Sequence, residues 1–170
     1  MGPNMIPTYT TEIRRSIIDT YLSFNLVAIL INRPSLGLTD TPTNTEMNER
    51  RNLTMAQVIA SEIGSTSLKG YKRQIITVNP GATVAGTTLS QNSIVVTFQA
   101  APGTSLDPFT HIVYVRGANL TLATDLNGNN RGNVSGTVVL VEPIQFAPVT
   151  LAHPSTFQHT LDLKVSTVGT

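Results

Sequence analysis

From Gly70 to the C-terminus the chain is a succession of short apolar runs, which Gly, Pro and Asn divide at roughly even intervals. The runs have the length of strands and are rich in Val, Ile, Tyr and Phe, which favour strands over helices. Such spacing is typical of a β-sandwich or jelly roll. We predict seven strands here, at residues 73–78, 93–99, 111–116, 120–124, 136–141, 145–152 and 157–165.

Alternation within these runs predicts which side chains share a face. Ile94, Val96 and Phe98 alternate with Val95 and Thr97, as expected for a strand with one buried face. The last run alternates most clearly, and it places five side chains on one face: Phe157, His159, Leu161, Leu163 and Val165.

The N-terminal part of the chain has a different period. Apolar residues between Ile13 and Leu22 recur at spacings of three and four after Thr11, which predicts a first helix. The short β-branched run from Leu26 to Ile31 predicts a fully buried strand. Thr54-Met-Ala-Gln57 fits a capping box and predicts a second helix through Ile63.

Two segments lack periodicity. Residues 1–10 carry Pro3 and Pro7 and are predicted to form an extended arm. Residues 34–52 are polar and rich in turn residues, so they are predicted to form a long loop. The fold class is therefore α+β and mainly β: an antiparallel, jelly-roll-like β-sandwich in residues 11–170, with two short helices near the N-terminus, in one domain.

Composition narrows the possible partners. Only 12% of the 170 residues are charged, about half the usual share, and the net charge is +1 without a basic stripe. We therefore expect no nucleic-acid binding. No apolar run reaches the ~20 residues that span a bilayer, and no cleavage site follows Arg14-Arg15, so we expect an unprocessed soluble protein. The absence of cysteine fits assembly in a reducing cytoplasm.

Residues that could carry chemistry do not form a recognisable set. His111, His153 and His159 have no zinc-site spacing and are expected to be structural. Asp125-Leu-Asn127-Gly-Asn129 departs from a calcium loop, and the small-residue segment from Gly81 to Gly86 is expected to be a loop between strands. We expect no enzyme activity, no catalytic residues, no metal and no cofactor.

Several segments, in order, resemble a family of small bacteriophage virion proteins related to head-decoration and tail-fibre components. They are a helix leading into Leu26–Ile31, a short helix ending near Glu62, Gly70-Tyr71-Lys-Arg73 entering a strand, the strand Asn92 to Phe98, and Thr110-His111 before an apolar strand. The segment 39–52 and an extra Asn/Gly-rich turn near the end depart from the family pattern.

The resemblance implies a β-sandwich that oligomerises, often as a trimer, on the virion. The expected function is a capsid cement protein that stabilises the major capsid shell; the alternative is a tail, baseplate or fibre-attachment protein. A sugar-binding module or small enzyme is a third class, which the 5% aromatic content disfavours. The expected partners are further copies of the chain and the major capsid or tail proteins. The expected interface residues are Met5, Ile6, Tyr9, Glu46, Arg50, Arg51 and Tyr71.

Overall fold

The computed structural model describes residue 12 and residues 25–64, 70–77, 83–85, 88–90, 94–117, 136–161 and 164–166. The strands are β1 Asn25–Ile31, β2 Gln74–Thr77, β3 Thr83–Ala85, β4 Thr88–Ser90, β5 Ile94–Gln99, β6 His111–Arg116, β7 Thr137–Pro143, β8 Thr156–Leu161 and β9 Lys164–Ser166. The helices are α1 Asn44–Arg51 and α2 Met55–Ser61, and a 3-10 turn covers Pro34–Leu36.

The chain divides into two compact units. The larger is formed by Asn25–Ile76 and Val96–His159, and the smaller includes Thr77–Val95 and Thr160–Thr170. The larger unit holds a four-stranded sheet in the order β2-β1-β6-β7, the helices and most of the two-stranded sheet β5–β8. The smaller unit holds the sheet β3-β4-β9, in which both strand pairs are antiparallel.

The centre of the four-stranded sheet is the antiparallel pair β1–β6, in register from Leu26 opposite Arg116 to Ile31 opposite His111. Every residue from Leu26 to Ile31 has no exposed surface, as the sequence predicted. A strand buried on both faces needs a continuous apolar run instead of an alternation, and this run provides one. Burial of each Leu, Ile or Val side chain in this run contributes about 1.5–3 kcal/mol to folding.

One face of this sheet packs against the helices. Because successive strand residues point to opposite faces, Val27, Ile29 and Ile31 lie on the same side. They pack with Leu36 of the 3-10 turn and Val58 of α2; the same core includes Leu53, Val113 and Val115. The helix predicted after Thr54 is present as α2, which ends at Ser61 and not at the predicted Ile63, and Val58 packs it against the centre of the sheet.

Aromatic side chains from β5 and β8 reach the opposite face. The Tyr114 ring of β6 lies 6.1 Å from that of His159, and Phe157 contacts both Phe98 and Phe109. Val96 and Phe98 are buried while Val95 and Thr97 are exposed, which confirms the predicted alternation in β5. Both faces of the central pair β1–β6 are therefore buried within the larger unit.

At the level of fold class the prediction is confirmed, since the described part of the chain is mostly β with antiparallel sheets and two helices, of which only α2 is one of the two helices predicted. Some elements differ. The loop predicted for 34–52 contains α1, and the loop predicted from Gly81 to Gly86 contains β3. The run 145–152 forms turns and isolated bridges instead of a strand, and the run 157–165 is divided between β8 and β9, which belong to different sheets.

Other predicted elements lie outside the described residues. These are the arm at 1–10, the strand at 120–124, the segment 125–129 and, except for the helical Glu12, the first predicted helix.

Candidate functional site

Helix α1 begins with a capping box. The Thr43 hydroxyl accepts a hydrogen bond from the Glu46 backbone N–H at 3.3 Å, and the Glu46 carboxylate accepts one from the Thr43 N–H at 2.7 Å. The Thr43 backbone N–H, together with the Thr43 hydroxyl 2.9 Å away, donates to the Glu46 carboxylate and holds the pKa of Glu46 below its usual range. Satisfying the free N–H groups of the first turn lets a short polar segment form a helix.

The other end of α1 fixes the loop before it. The Arg50 guanidinium donates hydrogen bonds to the carbonyl oxygens of Leu36, Gly37 and Thr39 at 2.6, 2.9 and 3.0 Å. Arg33 and Glu49 form an ion pair at 2.8 Å that joins the 3-10 turn to the helix. The side chains of Glu49 and Arg50 in α1 therefore bind groups of the same chain, whereas Arg51 is exposed.

His111 lies buried at the start of β6. Its Nε2 is 2.7 Å from the Gly37 carbonyl oxygen, which can only accept, so Nε2 carries a proton. Its Nδ1 lies 2.8 Å from the Thr110 hydroxyl, and that hydroxyl accepts a hydrogen bond from the Arg33 backbone N–H at 2.8 Å. Burial lowers the pKa of His111, partly offset by the Gly37 hydrogen bond. The Thr-His pair joins β6 to the loop before α1.

The Gly-Tyr-x-Arg segment forms a second buried polar cluster. Arg73 donates to both carboxylate oxygens of Glu62, at 2.7 and 2.6 Å, and both side chains are at most 4% exposed. The Tyr71 hydroxyl donates to Glu62 at 3.0 Å and accepts from the Leu30 backbone N–H at 3.1 Å. Burial, with the Glu62 charge, raises the pKa of Tyr71 well above its usual range. The cluster fixes the entry to β2 against β1.

A third set, Tyr114, His159 and Glu142, has the connectivity of a proton relay. The Tyr114 hydroxyl lies 2.8 Å from His159 Nδ1, and His159 Nε2 lies 3.0 Å from the Glu142 carboxylate. A relay of this kind activates a nucleophile only when that group is accessible and readily deprotonated. Tyr114 has no exposed surface, and burial followed by the Glu142 charge raises its pKa well above the usual range. The geometry is that of a structural contact between β6, β7 and β8.

Apolar side chains along β7 are partly exposed at the surface of the larger unit, and Val139 is 36% exposed. Among the described residues, β7 has a strand neighbour on one side only, β6. The register shifts between Tyr114 and Val115, which leaves Val139 as an extra residue in β7, a β-bulge. A groove of about 340 Å³ lies between this strand and the end of α1. We call it the β7 groove; it is lined by Arg50, Arg51, Leu53, Val138, Val139, Leu140 and Val141.

Phe146 projects from the turn that follows β7. Its side chain is 87% exposed, the highest value among the exposed large apolar residues described. Its φ is +62°, in the left-handed region that a bulky residue rarely adopts. The turn around it is fixed, since the Ala147 N–H donates to the Ile144 carbonyl at 3.1 Å and the Ile144 N–H donates to Thr110 at 2.9 Å.

The structure brings together only part of the predicted interface. Arg50 and Arg51 line the β7 groove, and Glu46 lies one turn earlier on α1. Tyr71 is 5% exposed and offers almost no surface to a partner, so we omit it from the interface that we propose. Three of the residues predicted at the interface lie outside the described part of the chain: Met5, Ile6 and Tyr9.

Sequence reasoning missed the groove-lining strand residues and Phe146. The run from Gln145 to Ala152 was predicted to be a strand, so the turn that contains Phe146 was not predicted. Pro148, inside the predicted run, was the available signal, because proline is rare inside a strand.

Comparison of the chain with protein-family models, curated proteins and solved structures finds no match. Within the described ranges, no three His, Cys, Asp or Glu side chains are placed to hold a metal ion. No helix in the described part of the chain is long and apolar enough to cross a membrane.

Proposed function

We propose that this chain is a non-enzymatic structural protein of a bacteriophage virion, and that it binds the outer face of the major capsid shell as a cement protein. The resemblance described above supplies the class of particle. The observation that carries the assembly role is the exposed apolar surface along β7 and Phe146. Exposed apolar patches bordered by polar residues are typical of protein–protein contact surfaces.

The polar side chains support a structural role. The carboxylates, guanidinium groups and histidines in the clusters described above bind groups of the same chain. Arg73 is paired with Glu62, Arg50 with three carbonyl oxygens, and His111 with Gly37 and Thr110. Each of these contacts fixes a loop or strand end of the larger unit, as a rigid building block requires.

The proposal includes the finer features implied by the resemblance. We propose that the four-stranded sheet and β5–β8 form the two layers of a sandwich, with Tyr114 and His159 between them. We also propose that the soluble form is a homo-oligomer, in the first instance a trimer, assembled in the host cytoplasm before it joins the virion.

Immunogold labelling of purified virions tests the proposal. Antibodies raised against the purified chain should label the head, and antibodies against an unrelated host protein provide the control. Labelling confined to the tail or baseplate would favour the alternative of a tail protein. Virions that carry no label, while a mass-spectrometric digest of the same virions lacks the chain, would contradict the proposal.

A further inference from the structure

Phe146 occupies a backbone conformation that a different residue would adopt more easily. The bond from Ala147 N–H to the Ile144 carbonyl makes residues 144–147 a β-turn, in which Phe146 is the third residue. A positive φ at that position favours Gly or Asn, because a Cβ clashes with the backbone there. The sequence instead places a large aromatic ring there, with 87% of its surface exposed.

Flanking contacts hold the backbone on both sides of Phe146 in a fixed position. On one side Ile144 is 3% exposed and anchored to Thr110, and on the other Val149 exchanges hydrogen bonds with Phe109 at 2.9 and 3.0 Å. A rigid aromatic anchor loses little conformational entropy on binding, and such residues carry much of the energy at protein interfaces. An observed strained residue in a fixed exposed turn therefore points to a binding function.

The β7 groove on the same unit has the features that would receive such a ring. Its volume of about 340 Å³ exceeds the ~150 Å³ cavity that holds a benzene molecule. Leu53 and the β7 valines provide apolar walls; Arg50, whose guanidinium is bound to the loop before α1, and the exposed Arg51 also line the groove. A guanidinium over an aromatic face is attracted by the ring's negative π surface. Phe146 does not fill this groove in its own chain, since its side chain is exposed.

We propose that Phe146 of one copy inserts into the β7 groove of a second copy of this chain. This contact rests on the proposed function, because it identifies the residues through which copies of an assembling virion protein would associate. Each subunit then contributes one ring and one groove. Repetition of the contact under closed symmetry produces an oligomer in which every copy has both partners.

Analytical ultracentrifugation of the full chain and its variants tests this contact. Phe146→Gly should weaken self-association by about tenfold or more, because it removes the anchor. The same change should leave the thermal unfolding temperature unchanged or higher, since glycine adopts a positive φ at no steric cost. Ile75→Ala is the matched control, because Ile75 is 42% exposed on β2, at the other end of the same sheet, and it should leave association unchanged.

Val139→Glu tests the groove, since Val139 is 36% exposed in its lining and a carboxylate there would be desolvated by the ring. On its own, the Val139→Glu chain should also self-associate more weakly than the wild type. An equimolar mixture of Phe146→Gly and Val139→Glu chains should associate more tightly than either alone, because the intact ring of one meets the intact groove of the other.

The inference would be overturned by a wild-type chain that is monomeric at micromolar concentration, or by a Phe146→Gly oligomer as tight as the wild type. A mixture no tighter than its components would also overturn it. These outcomes are independent of virion labelling. A labelled head combined with an unaffected Phe146→Gly oligomer would reject this contact and retain the proposed function.

Discussion

At the scale of single residues, the burial of His111 should make the stability of the protein depend on pH. Its ring is buried between the Gly37 carbonyl and the Thr110 hydroxyl, with Arg50 bound to the same carbonyl. Protonation of His111 would place a second positive charge, removed from water, next to the Arg50 guanidinium. The pKa of His111 is accordingly lowered from its ordinary value of 6.5, mainly by burial.

A lowered folded-state pKa means that the unfolded chain binds more protons at mildly acidic pH. The free energy of unfolding should therefore be highest above pH 6.5 and fall as the pH is lowered below it, by at most about 1.4 kcal/mol per pH unit from this group. Urea unfolding at a series of pH values between about 7.5 and 5.5 measures this slope. His111→Gln should flatten the slope, whereas His153→Gln, at an exposed site, should leave it unchanged. An equally steep slope in His111→Gln would contradict the assignment.

Gly70 is required for both its backbone angle and its lack of a side chain. Its φ is +84°, and a Cβ there would lie 2.3 Å from the Ala101 backbone nitrogen. Gly103 has a similar φ of +73°, but nothing lies within 4 Å of its Cβ position. Comparing Gly70 with Gly103 therefore separates the free-energy cost of a positive φ from the cost of a steric clash.

Gly103→Ala should lower the free energy of unfolding by about 1–2 kcal/mol, the cost of a left-handed L-residue. Gly70→Ala should lower it by clearly more, because the backbone of Ala101 must also move. Chemical denaturation of both variants gives the comparison. Equal losses in the two variants would show that the approach to Ala101 is not required for stability.

At the level of secondary structure, helix α1 depends on its cap more than on its sequence propensity. The helix has eight residues and no buried side chain, so packing contributes little to it. Thr43→Ala should lower the free energy of unfolding by about 0.5–2 kcal/mol, since it removes the bonds to Glu46. Thr45→Ala, an exposed position inside α1, should be neutral or slightly stabilising. Thermal unfolding followed by circular dichroism tests both, and equal effects would argue against the capping role.

The connection between α2 and β2 depends on the Glu62–Arg73 ion pair. Removing one partner of a buried pair leaves the other charge without compensation, which typically costs about 3–5 kcal/mol. Glu62→Gln should therefore be among the most destabilising single changes in the chain, as measured by urea denaturation. Glu49→Gln breaks the more exposed pair with Arg33 and should cost much less, because water replaces the lost contact. A mild effect of Glu62→Gln would mean that the strand entry is held by packing alone.

For the whole molecule, we predict that the arm at residues 1–10 takes part in assembly. If extended, they span up to about 35 Å, enough to reach an adjacent subunit. Ordering them costs ~1–2 kcal/mol per residue, which binding to a neighbour could offset. Deleting Met1 to Pro7 should leave the melting temperature of the purified protein nearly unchanged and reduce its occupancy on virions. Replacing the same residues with a Gly/Ser segment of equal length should have the same effect.

Two results would contradict this prediction. A truncated chain that unfolds would place the arm in the protein's own core. A truncated chain that occupies virions as fully as the intact one would show that the arm has no part in assembly.

The sequence by itself determined the elements whose signal is local. The run Leu26–Ile31 is apolar at every position, so a doubly buried strand follows directly, and Thr54 with Gln57 marks the start of α2. The alternation of Val96 and Phe98 with exposed neighbours gave the buried face of β5. The helix α1 carried a comparable local signal, Thr43 with Glu46, which the surrounding turn residues obscured.

Only the tertiary structure decided which polar residues are used inside the chain and which apolar residues remain outside. Tyr71 and Arg73 are buried because Glu62 and Leu30, the latter 41 residues before Tyr71, meet them with matching donors and acceptors. Phe146 is exposed because its turn is fixed by Thr110 and Phe109 on another part of the chain. Long-range partners set both outcomes, and a local pattern of residue types does not contain them.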